Sequence, residues 1–335
     1  MKRKQFTIPV FIPMEACPFR CIFCDQRLIS GTKALPPVER VGEIIREHLF
    51  TIPAEARVEL GFFGGTFTGL PREIQRDYLE VAQEFIRQGH IRAIRLSTRP
   101  DQIRKENLDM LAEYHVETIE LGAQSMCNEV LRRSGRGHTS QETVQAAALI
   151  KSSGFRLGLQ MMTGLPGDSR EKSLETARQF VRLGAGDVRI YPTVVIRGTP
   201  LEKLFRQGKY RPQDLQEAVT LVAEITQVFE AAGVNIIRTG LHPSEGLLDG
   251  TDLIAGPFHV SFRELVMTEV WFQKLKLITI PPGAEILAIT IPEGQLNFAV
   301  GYRAVNKKFL EKQCRRVKFK TDVRLKKQEF YVDYH

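Results

Sequence analysis

The sequence lacks the features that mark secreted, membrane-spanning or fibrous proteins. Its five cysteines are an odd number in a 335-residue chain, which does not suit a disulfide framework. No apolar run reaches the roughly 18 residues that a membrane span needs. The basic start of the chain leads into a short apolar stretch interrupted by Pro9 and Pro13, unlike a signal peptide. With no repeat or low-complexity tract either, we expect a cytoplasmic protein with no membrane partner.

The composition is that of a globular chain, but its charge is unevenly placed. Hydrophobic residues make up 43% and charged residues 26%, which excludes disorder as the overall state. The whole chain carries a net charge of +8, whereas residues 302–327 alone carry +9, so the remainder is close to neutral. That segment has only two acids, Glu311 and Asp322. Its basic residues are Arg303, Lys307, Lys308, Lys312, Arg315, Arg316, Lys318, Lys320, Arg324, Lys326 and Lys327.

Short β-branched runs alternate with amphipathic stretches along the first 240 residues. The predicted strands are 6–12, 57–63, 92–97, 117–122, 156–161 and 187–191. The predicted helices lie near 38–50, 72–88, 102–113, 141–153, 171–183 and 213–232. This alternation implies parallel strands joined by right-handed crossovers. Six βα units are too few for the eight-stranded barrel, so we expect an α/β fold with a partial (β/α)6 TIM-like barrel, to which 235–238 adds a seventh strand.

The alternation stops after Gly240, which suggests three parts. Residues 1–240 are expected to form the partial barrel and 241–280 a loop-rich connector or cover. Residues 281–335 are expected to form a small basic α+β domain. Within it the pattern predicts a strand at 285–291, a helix near 303–313 and a strand at 317–325.

Three cysteines follow the first predicted strand with the spacing C-x3-C-x2-C. Cys17, Cys21 and Cys24 supply three thiolates, one fewer than a structural zinc site requires. A [4Fe–4S] cluster held by three thiolates leaves one iron open to another ligand. The alternative is a zinc half-site completed by a distant residue such as His138 or His242. The remaining cysteines stand alone: we expect Cys127 to be a small buried residue and Cys314 to lie on a helix surface.

This cysteine motif at the start of a βα barrel resembles the radical S-adenosylmethionine (SAM) superfamily. The resemblance implies a [4Fe–4S] cluster whose open iron binds SAM. It also implies an electron donor such as flavodoxin or ferredoxin, and reductive SAM cleavage followed by hydrogen-atom abstraction from a substrate. The turn after the second strand, Gly64-Gly65-Thr66, resembles the family motif that binds the methionine part of SAM.

Further SAM contacts are implied by the same resemblance. Gln124 and Arg136 match residues that contact the SAM ribose and carboxylate in oxygen-independent coproporphyrinogen oxidases. Ser97 ends the third strand, and Gln160 stands where those relatives have an acidic ribose contact. No catalytic residue is assigned; Tyr191 and His138 are candidates to line the cavity.

A narrower resemblance is to the radical SAM domain of the Elongator catalytic-subunit family. It rests on GGTFTGLP (64–71), STRPD (97–101), ELGAQS (120–125), RGHT (136–139) and RIYPTVVIRGTPLEKLFRQGKY (189–210). The resemblance covers about residues 6–245. That family modifies the wobble uridine of transfer RNA with acetyl-CoA, through an acetyltransferase domain.

This sequence departs from the Elongator pattern in two ways. Its first two cluster cysteines are closer together, and about 95 residues follow Gly240, with no glycine-rich CoA loop. We therefore expect a relative without the acetyltransferase domain, for which acetyl-CoA use is not implied.

The basic segment includes a sequence that resembles the phosphate-gripping loop of KH-type RNA-binding domains. The loop pattern GxxG is Gly301-Tyr302-Arg303-Ala304 here, with alanine in place of the second glycine. Together with the clustered cations, it predicts RNA binding through residues 302–327.

Three functions follow from these observations. The first is a radical SAM enzyme that modifies RNA, most plausibly transfer RNA. The second is a coproporphyrinogen-oxidase-like enzyme acting on a small molecule or cofactor precursor, with the basic segment as a lid. The third is a non-catalytic RNA-binding or cluster-carrying protein. Salt-dependent RNA binding separates the first two, and SAM turnover separates both from the third.

Overall fold

The computed structural model describes residues 5–13, 16–25, 28, 34–283 and 285–334. Its main feature is a seven-stranded sheet in the order β1-β2-β3-β4-β5-β6-β8, in which every neighbouring pair is parallel. The strands are β1 (Gln5–Ile12), β2 (Arg57–Gly64), β3 (Ala93–Thr98), β4 (Val116–Gln124), β5 (Arg156–Thr163), β6 (Asp187–Pro192) and β8 (Asn235–Thr239). A separate ladder joins β7 (Val195–Ile196) to β9 (Leu253–Ala255).

Helices connect the strands and cover the outside of the sheet. They are α1 (Val38–Leu49), α2 (Arg72–Arg87), α3 (Lys105–Ala112), α4 (Asn128–Arg133), α5 (Ser140–Ser152), α6 (Arg170–Leu183), α7 (Pro200–Arg206), α8 (Leu215–Ala231), α9 (Glu245–Leu248) and α10 (Phe262–Leu275). Several begin at side-chain caps. Thr139 with Glu142, and Asp214 with Glu217, form capping boxes at the starts of α5 and α8, which satisfy otherwise unpaired backbone N–H groups.

The sheet curls into a half-barrel with β1 and β8 at its two edges. Apolar residues on its outer face pack against the helices in one large core, which includes Leu60, Ile94 and Phe229. The expected partial barrel is thus confirmed, and residues 235–238 do belong to a seventh strand. The β7–β9 ladder was not predicted, since its two short strands are distant in sequence and carry no periodic signal.

The C-terminal residues form a second sheet of three strands, ordered β11-β10-β12. Strand β10 (Ile286–Pro292) is parallel to β11 (Arg316–Asp322) and antiparallel to β12 (Tyr331–Tyr334). Two short helices, α11 (Leu296–Val300) and α12 (Val305–Glu311), connect β10 to β11.

The helix expected near 303–313 therefore begins later and is preceded by a separate helix. The 301–304 turn lies between the two, and Arg303 and Ala304 adopt left-handed backbone conformations with φ of 53° and 60°. Strand β12 was not predicted, because it is short and follows a loop.

Helix α10 contributes to two cores. Phe262, Val266 and Val270 pack in the half-barrel core, whereas Trp271 and Leu275 are fully buried in the core of the three-stranded sheet.

The two isolated cysteines differ from expectation. Cys314 is buried in the smaller core and Cys127 is half-buried, so the expectation for Cys314 was wrong. The chain turns inward after α12, and the thiol of Cys314 faces the carbonyl oxygens of Leu310 and Arg316. In the part of the chain that the structure describes, no helix has the length and apolar character to cross a membrane.

Candidate functional site

The cysteine-bearing loop lies at the carboxyl edge of the sheet, directly after β1. Its backbone is attached to two distant segments. The Ile22 amide donates to the carbonyl of Ser134 (3.1 Å), and the Leu201 amide donates to the carbonyl of Ile22 (2.8 Å). Parallel barrels carry their chemistry at this edge, so the loop is placed where a functional site is expected.

The three cysteines of this loop have different neighbours. Cys17 Sγ lies 3.3 Å from Thr66 Oγ1, and Cys21 Sγ accepts a hydrogen bond from Arg136 Nη1 at 3.1 Å. Cys24 packs with Cys21 in an apolar cluster. Among residues 5–13, 16–25, 28, 34–283 and 285–334, no three His, Cys, Asp or Glu side chains are grouped so as to hold a metal ion. The assignment of Cys17, Cys21 and Cys24 as cluster ligands, and the alternative of a zinc site completed by His138 or His242, therefore stay predictions.

The glycine turn after β2 faces the same loop. Gly64 has a φ of +95°, a conformation that residues with a Cβ rarely adopt. The Gly65 amide donates to the carbonyl of Ile12 at 2.7 Å, and a Cβ at Gly65 would overlap the carbonyl oxygen of Pro13. Buried Thr66 contacts Cys17. The turn therefore brings backbone close to the cysteine loop, which a side chain at Gly65 would prevent.

Gln124 and Arg136 meet at the end of β4. Gln124 has a φ of +65°, and such strained positions concentrate at functional sites. Arg136 Nη2 donates to the carbonyl of Gly122. Gln124 Oε1 and Arg136 Nε are buried without a hydrogen-bond partner among the described residues. Because buried polar groups are normally paired, these two atoms indicate a place for a polar ligand.

His138 lies close to this pair and is almost completely buried. Neither ring nitrogen has a partner at full hydrogen-bond geometry within the described part of the chain, although the backbone of Ala123 lies near enough to affect its pKa. Burial, together with the charges of Arg136 and Arg99, lowers the pKa of His138 to about 3, against the opposing effects of Asp101 and the backbone of Ala123. The ring is therefore neutral at physiological pH.

Arg99 is a site residue that the sequence reading did not single out. Its guanidinium pairs with Asp101 at 2.9 Å, donates to the carbonyl of Arg136 and lies 5.1 Å from the ring centre of Phe19. It thus joins the cysteine loop to the segment that carries Arg136. The sequence feature that could have indicated Arg99 is its position at the end of a strand, directly before Pro100.

A network of buried charges fills the inside of the half-barrel below this site. The carboxylate of Glu120 accepts hydrogen bonds from Arg95 at 2.7 Å and from Arg189 at 2.6 Å. Burial acts to lower the pKa of Arg189, but its hydrogen bonding to Glu120 and the negative charge there raise the pKa overall. Gln160 Nε2 donates to Ser97 Oγ at 3.1 Å. The predicted SAM contacts Ser97 and Gln160 thus bond to each other, and Gln160 also reaches Glu120 at 3.4 Å.

Tyr191 belongs to the side of the half-barrel formed by β6 and β8. Burial raises the pKa of its hydroxyl, and the nearby cations Arg189 and Arg238 act in the opposite direction. His242 Nδ1 lies 3.2 Å from Arg238 Nη2; burial, with the charge of Arg238, lowers the pKa of His242. Tyr191 and His138, the two candidates to line the cavity, therefore have different charged neighbours.

The stretch 189–210 forms one wall of the site. Val195, Leu201 and Tyr210 pack in the same cluster as Cys21. The Tyr210 hydroxyl donates to the carbonyl of Gly164 at 2.7 Å. Both residues line a cavity of ≈ 270 Å³ at the turn after β5.

Comparison with protein-family models identifies the chemistry. Residues 11–180 match the radical SAM superfamily, and residues 187–271 match the radical SAM C-terminal domain. An uncharacterized protein of Methanocaldococcus jannaschii is 32% identical over 68% of this chain and 72% of its own length.

Two other relatives carry functional names. Elongator complex protein 3 of Saccharomyces cerevisiae is 30% identical over 50% of this chain and 34% of its own length. A tRNA uridine(34) acetyltransferase of M. jannaschii is 29% identical over 64% of this chain and 47% of its own length. The chain thus matches less than half of the length of these two relatives.

A solved structure has the same fold. Elp3 of the archaeon Methanocaldococcus infernus, with residues 1–46 deleted, aligns with a TM-score of 0.64 and 21% identity, over 84% of this chain and 70% of that one. The two named relatives confirm the Elongator-like resemblance of the sequence, and this structure confirms the fold.

Proposed function

Because the chain belongs to the radical SAM superfamily, whose enzymes use a [4Fe–4S] cluster and SAM, we propose that it is the RNA-modifying kind of radical SAM enzyme and acts on transfer RNA. The cluster with SAM supplies hydrogen-atom abstraction from a bound substrate. The protein's part is to hold both groups, orient the substrate and exclude water.

The residues present at the carboxyl edge of the sheet suit these cofactors. Three thiols lie within one short loop, which is the donor set of a cluster with an open iron. The glycine turn leaves no room for a Cβ at Gly65. The unpartnered atoms Gln124 Oε1 and Arg136 Nε are the polar groups that a bound amino acid or ribose would satisfy.

We assign roles on this basis. Cys17, Cys21 and Cys24 would hold the cluster, and the carbonyls of the Gly64–Thr66 turn would accept the SAM ammonium. A guanidinium suits a carboxylate, so Arg136 would bind that of SAM, and Gln124 would bind the ribose.

Other predicted residues act from further away. Ser97 and Gln160 are paired, and would meet the ribose from the inside of the barrel. His138, neutral and buried beside Arg136, would donate or accept one hydrogen bond, and Tyr191 would face the substrate.

One observation carries the RNA assignment. The stretch 189–210 resembles the Elongator family most closely, and it builds a wall of the cysteine site through the hydrogen bond from Leu201 to Ile22. A relative whose name states tRNA modification, the tRNA uridine(34) acetyltransferase of M. jannaschii, matches 64% of this chain. The basic segment 302–327 offers the charge that RNA requires, and a cytoplasmic location fits such a substrate.

The test is an anaerobic assay. The protein is reconstituted with iron and sulfide and then treated with a chemical reductant in the presence of SAM, and 5′-deoxyadenosine is quantified with and without bulk transfer RNA. We expect 5′-deoxyadenosine from the wild type, stimulated by transfer RNA, and none from Cys21→Ala.

Cys314→Ala is the matched control, because that cysteine lies in the other core, and we expect it to retain activity. Equal formation with and without transfer RNA would favour the small-molecule substrate. A well-folded wild type that takes up iron but cleaves no SAM would refute the site assignment.

A further inference from the structure

The three-stranded sheet has one buried face and one open face. Along edge strand β11, Val317 and Phe319 face the core with Trp271 and Leu310. The alternate residues Arg316, Lys318 and Lys320 are exposed. Because successive side chains of a strand point to opposite sides, these three cations lie in a row on the open face.

An aromatic ring shares this face. In the strand register, Lys320 is opposite Thr290, and Thr290 is opposite Tyr331 of β12. Residues directly opposite one another lie on the same face of a sheet, and Tyr331 is 64% exposed while its neighbour Val332 packs in the core. The phenol ring is therefore two strands, or about 10 Å, from the line of cations.

Across the described ranges, the cations of this face have no direct ion-pair partner, although the register places one carboxylate, that of Asp333, on the same face two strands from Lys318. Within residues 285–334, three other cations are paired: Lys307 with Glu311, Arg315 with Glu285 and Arg324 with Asp322. The side chains of Arg316, Lys318 and Lys320 have no carboxylate within ion-pair distance among the described residues. We name these three residues together with Tyr331 the cationic face.

We propose that the cationic face binds single-stranded RNA, an inference that rests on the proposed function. The three cations would contact successive phosphates along one strand, and a base would stack on Tyr331. Stacking on a protein aromatic requires an unpaired base, which loops and ends provide and a duplex does not. The proposal therefore specifies a loop of the substrate RNA rather than one of its helical arms.

The connection to the half-barrel supports this role. Helix α10 packs in both cores through Val270 on one side and Trp271 on the other. In addition, Gln328 of the β11–β12 loop contacts Glu230 of α8. An RNA loop held on the cationic face is thus held at a fixed place relative to the half-barrel.

The experiment measures binding of a labelled single-stranded oligoribonucleotide, and of the same strand in a duplex, by fluorescence anisotropy at several salt concentrations. We expect the full-length wild type to bind the single strand more tightly. For the double variant Lys318→Gln/Lys320→Gln, loss of two phosphate contacts should reduce the slope of log K against log salt by about 1.4. Tyr331→Ala should weaken binding about five- to a hundredfold, and Tyr331→Phe should restore it.

Lys105→Gln, which removes an exposed positive charge from α3 of the half-barrel, is the matched control and should bind RNA like the wild type. The proposal is overturned if the duplex binds more tightly, or if the double variant keeps the wild-type slope. It is also overturned if the double variant keeps RNA affinity but self-associates, because the lysines would then serve only to protect an edge strand.

Formation of 5′-deoxyadenosine without RNA separates this proposal from the proposed function. The amount formed should be the same in the wild type and in the double variant. If neither protein forms 5′-deoxyadenosine, the SAM assignment fails, and the RNA-binding proposal is still decided by the anisotropy measurement.

Discussion

The half-barrel and the three-stranded sheet use arginine and lysine in opposite ways. Inside the half-barrel, Arg95 contacts carboxylates on three other strands: Glu59 at 2.9 Å, Glu120 at 2.7 Å and Asp187 at 3.6 Å. On the cationic face, the cations have no such partner. Arg95 is thus matched by carboxylates inside the half-barrel, whereas the cations of the cationic face remain available to attract an anionic partner from outside. The overall net charge hides this difference.

The largest effect is expected from breaking the charge balance inside the half-barrel. In Glu120→Gln, Arg95 loses one carboxylate and Arg189 its only ion pair among the described residues. We expect the free energy of unfolding to fall by about 3–5 kcal/mol, because an unmatched buried charge is costly. Urea denaturation of the two proteins measures this. A loss below about 1 kcal/mol would show that water or another group replaces the carboxylate.

A smaller, pH-dependent effect is expected at His138. In the unfolded chain the ring gains a proton as the pH falls below about 6.5, but in the folded protein only near pH 3. The unfolded state therefore binds more protons in this range, and acid destabilises the fold. Between pH 7 and pH 5, the free energy of unfolding should fall by about 2 kcal/mol more in the wild type than in His138→Gln. Urea unfolding at both pH values tests this.

His90→Gln, which changes an exposed histidine, is the control for that series. The difference in unfolding free energy between this variant and the wild type should not grow as the pH falls. If the unfolding free energies of the wild type and His138→Gln changed in parallel with pH, His138 would not be buried as a neutral ring.

The smallest effect is expected on the cationic face. Neither Lys318→Gln nor Lys320→Gln removes an ion pair, so each should change the free energy of unfolding by no more than about 0.5 kcal/mol. Thermal unfolding measures this, with Glu120→Gln as the contrasting variant. Destabilisation comparable to that of Glu120→Gln would erase the distinction between the two regions.

Much of the fold could be predicted from the sequence because its signals are local. The runs that became β2 and β5 are short, apolar and separated by amphipathic helices, and this alternation determines parallel topology. Strand β12 and the β7–β9 ladder could not be predicted in this way, since they depend on partners distant in the chain.

The candidate site likewise contains residues that could be predicted from the sequence and residues that could not. Cys17, Cys21 and Cys24 could be recognised by their spacing, and Gln124 and Arg136 by resemblance. The role of Glu120 could not be recognised, because its partners Arg95 and Arg189 lie on other strands and meet it only when the sheet curls. The pairing of Ser97 with Gln160 likewise arises from register, which the sequence does not state.

Helix α10 makes the two cores inseparable. Trp271 and Leu275, central to the smaller core, are placed by the same helix that Phe262 and Val266 anchor in the larger one. A fragment that begins after residue 275 would lose both buried side chains and expose the apolar face of its sheet to water. The C-terminal sheet is therefore expected to keep its core only while α10 is in place.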